Sequence, residues 1–224
     1  MMKEIDFMGI LHKSTTRDYL ARVNDPNFPK AKAAEIAKKY EFDYWDGDRR
    51  INYGGDKYIP GRWEKVAKQM IETYKLNENS KILDIGCGKG FLLYDFKKLL
   101  PNCSVFGLDI SKYAIENSKP EISNNLINGS SCNLPWQDNY FDLVISINTF
   151  HNLYCYELEK SILEMERVGK SNKYICVESY RNEIEKTNLL YWQVTCESFY
   201  NPEEWKWWIE KCNYNGDYSF IFFE

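Results

Sequence analysis

Histidine is scarce in this sequence, and its cysteines form none of the familiar functional patterns. Only His12 and His151 occur among the 224 residues, and the seven cysteines are widely spaced, so the clustered Cys and His ligands of a zinc site are missing. The cysteines include no CxxC pair, their number is odd, and no signal peptide precedes them, which indicates reduced thiols. We expect a cytoplasmic protein without a bound metal.

Long apolar runs and concentrated basic charge are also lacking. No apolar run approaches the roughly 20 residues that a membrane-spanning helix requires. The 29 Lys and Arg residues stand against 33 Asp and Glu residues, giving a net charge of −4, and the basic residues do not gather into an arm or stripe. We therefore expect neither a membrane nor a nucleic acid among the partners.

Aromatic residues, in contrast, are abundant. They make up 16% of the chain, with seven Trp and seventeen Tyr, and many lie in the segments 40–63 and 191–208. Such side chains suit the walls of a ligand cavity as well as a core. The length favours one compact domain. We expect an irregular aromatic N-terminal extension with a lid-like part at 1–64, and a ligand-binding domain at 65–224.

Apolar runs alternate with helical segments after residue 63. This alternation predicts right-handed crossovers and a doubly wound α/β domain with a mostly parallel sheet. The sequence after residue 180 offers only one clear strand, so either a strand hides within 186–200 or the sheet is a strand short. The predicted strands are 81–84, 104–109, 125–128, 141–147, 173–179 and 218–223, and the predicted helices are 30–39, 63–74, 90–100, 112–118, 157–168, 182–200 and 202–212.

A glycine turn follows the first predicted strand. Residues 84–90 read Asp-Ile-Gly-Cys-Gly-Lys-Gly, at the carboxyl end of a strand, where open α/β sheets bind ligands. Glycines permit a sharp turn and the close approach of a ligand. The spacing G-x-G-x-G differs from the G-x-G-x-x-G of dinucleotide sites, and Asp84 would repel a pyrophosphate. These features disfavour a nicotinamide oxidoreductase and favour a ligand with a cationic amino-acid group.

The glycine turn resembles motif I of the class I methyltransferases, which use S-adenosylmethionine (SAM) and release S-adenosylhomocysteine. The resemblance covers about residues 65–180 and implies the class I fold with SAM as cofactor. It assigns Asp109 to the ribose hydroxyls, since a carboxylate can accept two donors, and places the adenine ring at 129–136, where Ser130 replaces an acid common in the family. The implied cofactor-binding residues are Asp84, Gly86, Cys87, Gly88, Gly90, Asp109, Ile110, Ser130, Ser131, Cys132, Asn148 and Arg62.

Two residues at predicted strand ends are candidates for catalysis. Methyl transfer to a hydroxyl or ammonium group requires removal of a proton. His151 follows the fourth strand and is the first candidate for a general base, the alternative being a structural role. Glu178 ends the fifth strand and is the second candidate. Arg181, which lies close to it in sequence, is suited to anchor an anionic group. The alternative is a solvated strand end at which the charges of Glu178 and Arg181 pair with neighbouring residues.

The loop 53–63 has the character of a lid. Its glycines supply mobility, its aromatic residues would close over the cofactor and exclude water, and Arg62 would meet the SAM carboxylate. The alternative is a fixed extension packed against the domain. The predicted substrate-binding residues are Tyr53, Tyr58, Trp63, Tyr180, Arg181 and Trp192.

The favoured function is transfer of a methyl group to an oxygen or nitrogen of a small molecule. The wider chain resembles bacterial methyltransferases that modify sugars or surface-glycan building blocks, including nucleotide-linked or phosphoramidate-bearing ones. A protein or nucleic-acid methyltransferase and a non-catalytic SAM-binding partner protein are alternatives. The sequence Ser-Ile-Asn-Thr-Phe at 146–150 lacks the Asn/Asp-Pro-Pro-Tyr/Phe pattern of base methylation. The C-terminal helices would line the acceptor pocket or form a homodimer contact.

Overall fold

The computed structural model describes residues 2–12, 17–23, 25–53 and 57–224. Within these ranges the strands form one sheet in the order β3-β2-β1-β4-β5-β6, and every neighbouring pair runs parallel. The predicted doubly wound α/β sheet is confirmed. The strands are β1 (Lys81–Ile85), β2 (Ser104–Asp109), β3 (Leu126–Asn128), β4 (Phe141–Ile147), β5 (Gly169–Glu178) and β6 (Asp217–Ile221).

Helices connect the strands and precede the sheet. Most of the helices begin and end within a few residues of the predicted positions. Three short 3-10 helices lie at Leu20–Arg22, Ser123–Asn125 and Phe150–Asn152. The helices are α1 (Gly9–His12), α2 (Lys30–Ala37), α3 (Phe42–Trp45), α4 (Glu64–Tyr74), α5 (Phe91–Leu99), α6 (Lys112–Glu116), α7 (Cys155–Val168), α8 (Glu183–Trp192) and α9 (Pro202–Lys211).

The sheet is buried on both faces because alternate strand residues enter two different apolar clusters. Ile82 of β1 and Leu143 of β4 pack in the cluster that includes α4 and α5. Leu83 and Val144 pack in the cluster that includes α7 and α9. Successive residues of a strand point to opposite faces, so the continuous apolar runs of β1 and β4 are those of strands with a helix layer on each side. This layering leaves the strand ends available for the site.

The sheet contains no strand from residues 186–200, where the sequence left open the possibility of one. Residues 186–200 contain the rest of α8, which ends at Trp192, and then a stretch without regular structure. The hydroxyl of Tyr53 accepts hydrogen bonds from the backbone amides of Val194 and Thr195, and these β-branched residues also disfavour a helix. The predicted helix 182–200 is therefore too long, and the sheet is indeed a strand short.

The N-terminal extension covers the edge of the sheet at β6. The amide of Ile5 donates to the carbonyl of Tyr218 at 2.9 Å, and the amide of Tyr218 donates to the carbonyl of Lys3 at 3.0 Å. Phe7 and Met8 follow into the core with 3% and 1% of their surface exposed. An uncovered edge strand would invite pairing with another chain. The domain boundary at residue 64 stays a prediction.

None of the helices in the described ranges is both long and apolar enough to cross a membrane.

Candidate functional site

The glycine turn after β1 is held in a backbone conformation that glycine adopts readily. Gly86 and Gly88 have φ values of +79° and +55°, in the left-handed region that costs other residues about 1–2 kcal/mol. The amides of Gly86 and Cys87 both donate to the carbonyl of Leu108, at 2.7 and 3.2 Å. These bonds tie the turn to the end of β2, so that Asp84 and Asp109 lie at one edge of the sheet.

The space left by the missing side chains of this turn is used by the chain itself. A Cβ atom at Gly88 would lie 2.5 Å from the ring of Trp45, and one at Gly86 would lie 1.9 Å from Oγ1 of Thr149. At these two positions the close approach is made by Trp45 and Thr149, because both side chains pack directly on the turn. The approach of a ligand to this turn stays a prediction.

Two buried carboxyl groups stand beside the turn. Oδ1 of Asp84 is buried and has no hydrogen-bond partner among the described residues. Burial, together with the nearby charge of Asp109, raises the pKa of Asp84 to about 8. Asp109 accepts hydrogen bonds from the amides of Gly88 at 2.7 Å and Ser111 at 2.8 Å, while its burial raises its pKa. An orphaned carboxyl oxygen fits an ammonium group such as that of SAM.

Asn148 supplies a second orphaned oxygen near the end of β4. Its Oδ1 atom is buried and lacks a hydrogen-bond partner in the described part of the chain, and its backbone has a φ of +56°. The amide of Asn148 donates to the carbonyl of Cys176 at 2.9 Å, which fixes the residue between β4 and β5. Asp84, Asp109 and Asn148 thus present acceptor atoms at three strand ends, a donor-poor set that fits the cationic part and the hydroxyls of SAM.

The predicted adenine loop is tied to α7. The hydroxyls of Ser131 and Ser161 lie 2.8 Å apart, and the thiol of Cys132 is 3.5 Å from the carbonyl of Glu157. Ser130 accepts a hydrogen bond from the amide of Cys132 at 3.2 Å, so its hydroxyl stabilises the loop itself. These bonds give the loop a fixed shape, and whether Ser130 also meets adenine stays a prediction.

Two other residues of the predicted cofactor set differ in character. Ile110 is 59% exposed directly after Asp109, which offers an apolar surface beside the residue predicted to bind the ribose. The Cys87 thiol lies 3.6 Å from the carbonyl of Gly88. Burial and the charges of Asp109 and Asp84 raise the pKa of this thiol, so it stays protonated and acts as a packing group.

His151 and Glu178 meet in the interior at the ends of β4 and β5. The amide of Glu178 donates to Nδ1 of His151 at 3.3 Å, and Nε2 of His151 lies 3.6 Å from Oε2 of Glu178. Burial lowers the pKa of His151 to about 3, so the ring is neutral near pH 7. Because Nδ1 accepts from an amide, we assign the ring proton to Nε2, facing the carboxyl. This geometry favours a structural role for His151 over that of a base.

Gln193 completes the surroundings of Glu178, a role that no sequence pattern indicated. Its Nε2 donates to Oε2 of Glu178, and its Oε1 accepts from the hydroxyl of Tyr53 at 2.8 Å. Burial raises the pKa of Glu178 to about 8, whereas the hydrogen bond from Gln193 and the charge of Arg17 act in the opposite direction. Tyr53, predicted as a lid residue, therefore belongs to the hydrogen-bond chain that holds this carboxyl.

Within the described residues, α3 lies over the glycine turn through Trp45. The indole Nε1 of Trp45 donates to Oγ of Ser111 at 2.9 Å, and Asp46 pairs with Lys89 of the turn at 2.8 Å. Asp46 also accepts a hydrogen bond from the hydroxyl of Tyr113 at 2.6 Å. The aromatic richness of 40–63 was the only sequence signal for this contact. Residues 54–56 of the predicted lid lie outside the described residues.

Two other predicted lid residues, Tyr58 and Trp63, pack on the layer of α4 and α5. The hydroxyl of Tyr58 donates to Asp95 of α5 at 2.6 Å, and its ring packs on Phe91 of the same helix. Trp63 packs against the cluster of α4 and α5. Arg62 is exposed, and its charge acts on His12. The contacts of Tyr58 and Trp63 correspond to the alternative of a packed extension, and the role of Arg62 toward SAM stays a prediction.

The predicted substrate-binding residues after β5 are Tyr180, Arg181 and Trp192, and Trp192 packs beside Tyr53 of the Glu178 network. Its ring centroid is 6.0 Å from that of Tyr53, and Lys186 lies over the ring of Tyr180 at 5.1 Å. Arg181 pairs with the carboxylates of Glu185 and Glu224. Because two carboxylates already pair with the Arg181 guanidinium, the geometry favours a structural ion pair over a role in anchoring an anionic substrate.

Comparisons with known proteins identify the family. A family model described as a methyltransferase domain matches residues 76–213. A tRNA (carboxymethyluridine(34)-5-O)-methyltransferase of Arabidopsis thaliana is 32% identical over 157 residues, which are 70% of this chain and 36% of that protein. A release factor glutamine methyltransferase of Flavobacterium psychrophilum is 31% identical over 109 residues, 46% of this chain and 38% of that protein.

The chain therefore spans well under half the length of these two curated relatives. The crystal structure of the YcgJ protein from Bacillus subtilis aligns with a TM-score of 0.53 and 21% identity, covering 65% of this chain and 66% of that one, and so shares the fold. Because the family model covers more than half of the sequence, the chain belongs to the methyltransferase domain family, with the class I fold and with SAM as the family's methyl donor.

Proposed function

We propose that this protein transfers a methyl group from SAM to an oxygen or nitrogen of a small molecule, such as a sugar or a nucleotide-linked or phosphoramidate-bearing glycan building block. The observation that carries the proposal is the buried carboxyl of Glu178, which stands at the same sheet edge as the glycine turn and is held by Gln193 and His151. A proton acceptor beside the cofactor position is what a hydroxyl or ammonium acceptor requires.

Several residues would hold SAM, which supplies a methyl group already activated on a sulfonium. Asp84 would face the ammonium group, Asp109 the ribose hydroxyls and Asn148 the methionine part. Trp45 and Asp46 would shield the turn from water, because they already pack on Gly88 and Lys89. Orientation and exclusion of water are the main contributions that an enzyme makes to such a displacement.

Glu178 would accept the proton of the acceptor. Gln193 and His151 both contact Oε2 of this carboxyl, so we assign the acceptor proton to Oε1. The neutral His151 ring faces the carboxylate with an N–H and stabilises its charge, while Tyr53 holds the amide of Gln193 in the orientation that donates. His151, Gln193 and Tyr53 are thus positioning residues.

A second candidate is methylation of tRNA or of a protein side chain. It is favoured by the names of the two curated relatives, one acting on tRNA and one on a release factor. The net charge of −4 argues against a polyanionic acceptor such as tRNA, and the assay below distinguishes a protein acceptor from a small molecule.

The test is a transfer assay that follows S-adenosylhomocysteine. Purified protein is incubated with SAM and, in separate reactions, with sugar nucleotides, sugar phosphates, phosphoramidates, amines, bulk tRNA and a release factor. Product formed only with small molecules, and lost in Glu178→Gln, supports the proposal. Product formed only with tRNA or protein would establish the second candidate, and SAM binding without any product would favour a non-catalytic binding protein.

A further inference from the structure

Arg17 lies close to the Glu178 network and pairs with none of the described acidic residues. Its guanidinium carbon is 4.7 Å from the ring centroid of Phe223 and 5.7 Å from that of Trp192. Among the described residues, no hydrogen bond or ion pair satisfies this guanidinium. Other arginines of the protein differ, since Arg50 and Arg167 each pair with two carboxylates. A guanidinium with aromatic contacts and no counter-ion has donors available for an anion.

Arg17 lies within electrostatic range of Glu178, the proton acceptor of the proposed function. Its charge is one of the influences that oppose the burial-driven rise in the pKa of Glu178. The Trp192 ring that it contacts lies 6.0 Å from Tyr53, the residue that orients Gln193 toward Glu178. A group bound at Arg17 would therefore be within one small molecule's reach of the proton acceptor.

His12, whose ring lies within electrostatic range of Arg17, provides an independent observation. Both of its ring nitrogens are buried, and neither has a hydrogen-bond partner in the ranges that the structure describes. Burial, followed by the charges of Arg17 and Arg62, lowers the pKa of His12 to about 4, whereas Asp6 acts to raise it. The ring is therefore neutral near pH 7 and carries one N–H donor. A buried polar group without a partner is unfavourable unless something binds to it.

We propose that Arg17 and His12 bind an anionic group of the acceptor, either a phosphate or a carboxylate. The inference rests on the proposed function and narrows its acceptor to an anionic small molecule. Arg17 supplies the charge and two or more donors, His12 supplies a neutral donor, and Arg62 adds positive potential. Three acids around this pair have other partners: Asp6 accepts from the amide of Gly9, Asp18 accepts from the amides of Leu20 and Ala21, and Glu224 pairs with Arg181.

The experiment uses the two histidines as reporters. Protein with 15N-labelled histidine shows ring signals from His12 and His151 only. With S-adenosylhomocysteine bound, the protein is titrated with inorganic phosphate and, separately, with acetate, at a constant ionic strength set with sodium chloride. We expect a saturable shift of the His12 signals with at least one of the two anions, and the arm that saturates at lower concentration identifies phosphate or carboxylate as the preferred group.

Two variants complete the design. Arg17→Gln should weaken anion binding about tenfold or more. Arg50→Gln is the matched control, because Arg50 also lies over an aromatic ring, that of Phe28, and its loss should leave anion binding unchanged. Unmoved His12 signals, or equal shifts in wild type and Arg17→Gln, would overturn the inference. S-adenosylhomocysteine binding is measured in the same samples, so that a failed cofactor site is distinguished from a failed anion site.

Discussion

Glu178 determines the pH dependence that we expect for methyl transfer, because its carboxyl must be ionised to accept a proton. Burial raises its pKa to about 8, opposed by the hydrogen bond from Gln193 and the charge of Arg17. The initial rate should therefore rise about tenfold per pH unit below about pH 8 and level off above it. Glu178→Gln should lower the rate by a factor of about 10² to 10⁴ and abolish this rise. Rates measured with saturating SAM from about pH 6 to pH 9 provide the test.

The same profile separates Glu178 from His151. Burial lowers the pKa of His151 to about 3, so a His151 base would be fully deprotonated across this range and the rate would be flat. A flat profile in the wild-type protein would thus contradict the role of Glu178. Glu183→Gln is the matched control, since this glutamate is 88% exposed at the start of α8 and its loss should leave the rate unchanged.

A second prediction concerns Asp84 and the release of a proton when SAM binds. With a pKa raised to about 8 by burial and by Asp109, its carboxyl is mostly protonated in the free protein at about pH 7. Pairing with the SAM ammonium favours the ionised form, so binding should release close to one proton, and the affinity should rise with pH up to about 8. Calorimetric titrations in buffers of different ionisation enthalpy measure this release. Asp84→Asn should abolish it, whereas the exposed Asp48→Asn should not.

The residues that the sequence predicted correctly as neighbours lie next to strand ends. Asp84 and Asp109 lie at the ends of β1 and β2, and the rule that parallel strands end at one edge brings them together. Trp45 and Gln193 could not be found in this way. They reach the site from segments without a periodic pattern, and Gln193 bonds a residue 140 positions away. Arg181 has the right chemistry for an anion, but its two acidic partners depend on the packing of the chain end.

At the scale of the elements, α3 and the glycine turn form a contact that a single methyl group should disturb. Gly88→Ala places a Cβ atom 2.5 Å from the Trp45 ring at a φ of +55°. We expect the free energy of unfolding to fall by the left-handed cost of about 1–2 kcal/mol plus the cost of displacing Trp45. The matched control is Gly61→Ala, where φ is +77° and no atom lies within 4 Å. Urea unfolding monitored by circular dichroism measures both.

The excess loss in Gly88→Ala over Gly61→Ala isolates the Trp45 contact. In the background of Trp45→Ala this excess should disappear, as a double-mutant cycle would show. Equal losses at the two glycines would mean that Trp45 moves away freely, and α3 would then contribute little to covering the turn.

The elements themselves were largely predictable because buried parallel strands are continuous apolar runs. All six predicted strands are present, and β1 and β2 begin at the predicted residues. The failures share one cause, a tertiary contact that overrides local pattern. Helix α8 ends at Trp192 where Tyr53 takes the amides of Val194 and Thr195. β5 begins at Gly169, earlier than its apolar run, because Phe141 at the start of β4 pairs with it.

At the scale of the whole molecule, the N-terminal extension is built into the fold. It covers β6, lies on the glycine turn through α3 and orients Gln193 through Tyr53. These contacts join positions far apart in sequence, so the polar character of residues 1–30 gave no sign of them. The extension thereby couples the sheet edge to both parts of the site, and its attachment should matter for stability as well as for activity.

Phe7 tests this attachment. Its ring is 3% exposed and packs edge-on against Tyr174 of β5 at 5.0 Å between centroids. If the extension folds as part of the domain, Phe7→Ala should lower the free energy of unfolding by about 3–5 kcal/mol and leave a single cooperative transition. Ile10→Ala, at a side chain that is 46% exposed, is the control and should cost far less. If the extension is not part of the cooperative unit, it would unfold at a lower urea concentration than the domain, and two transitions would be seen. The second transition would then be the same in the wild type and in Phe7→Ala.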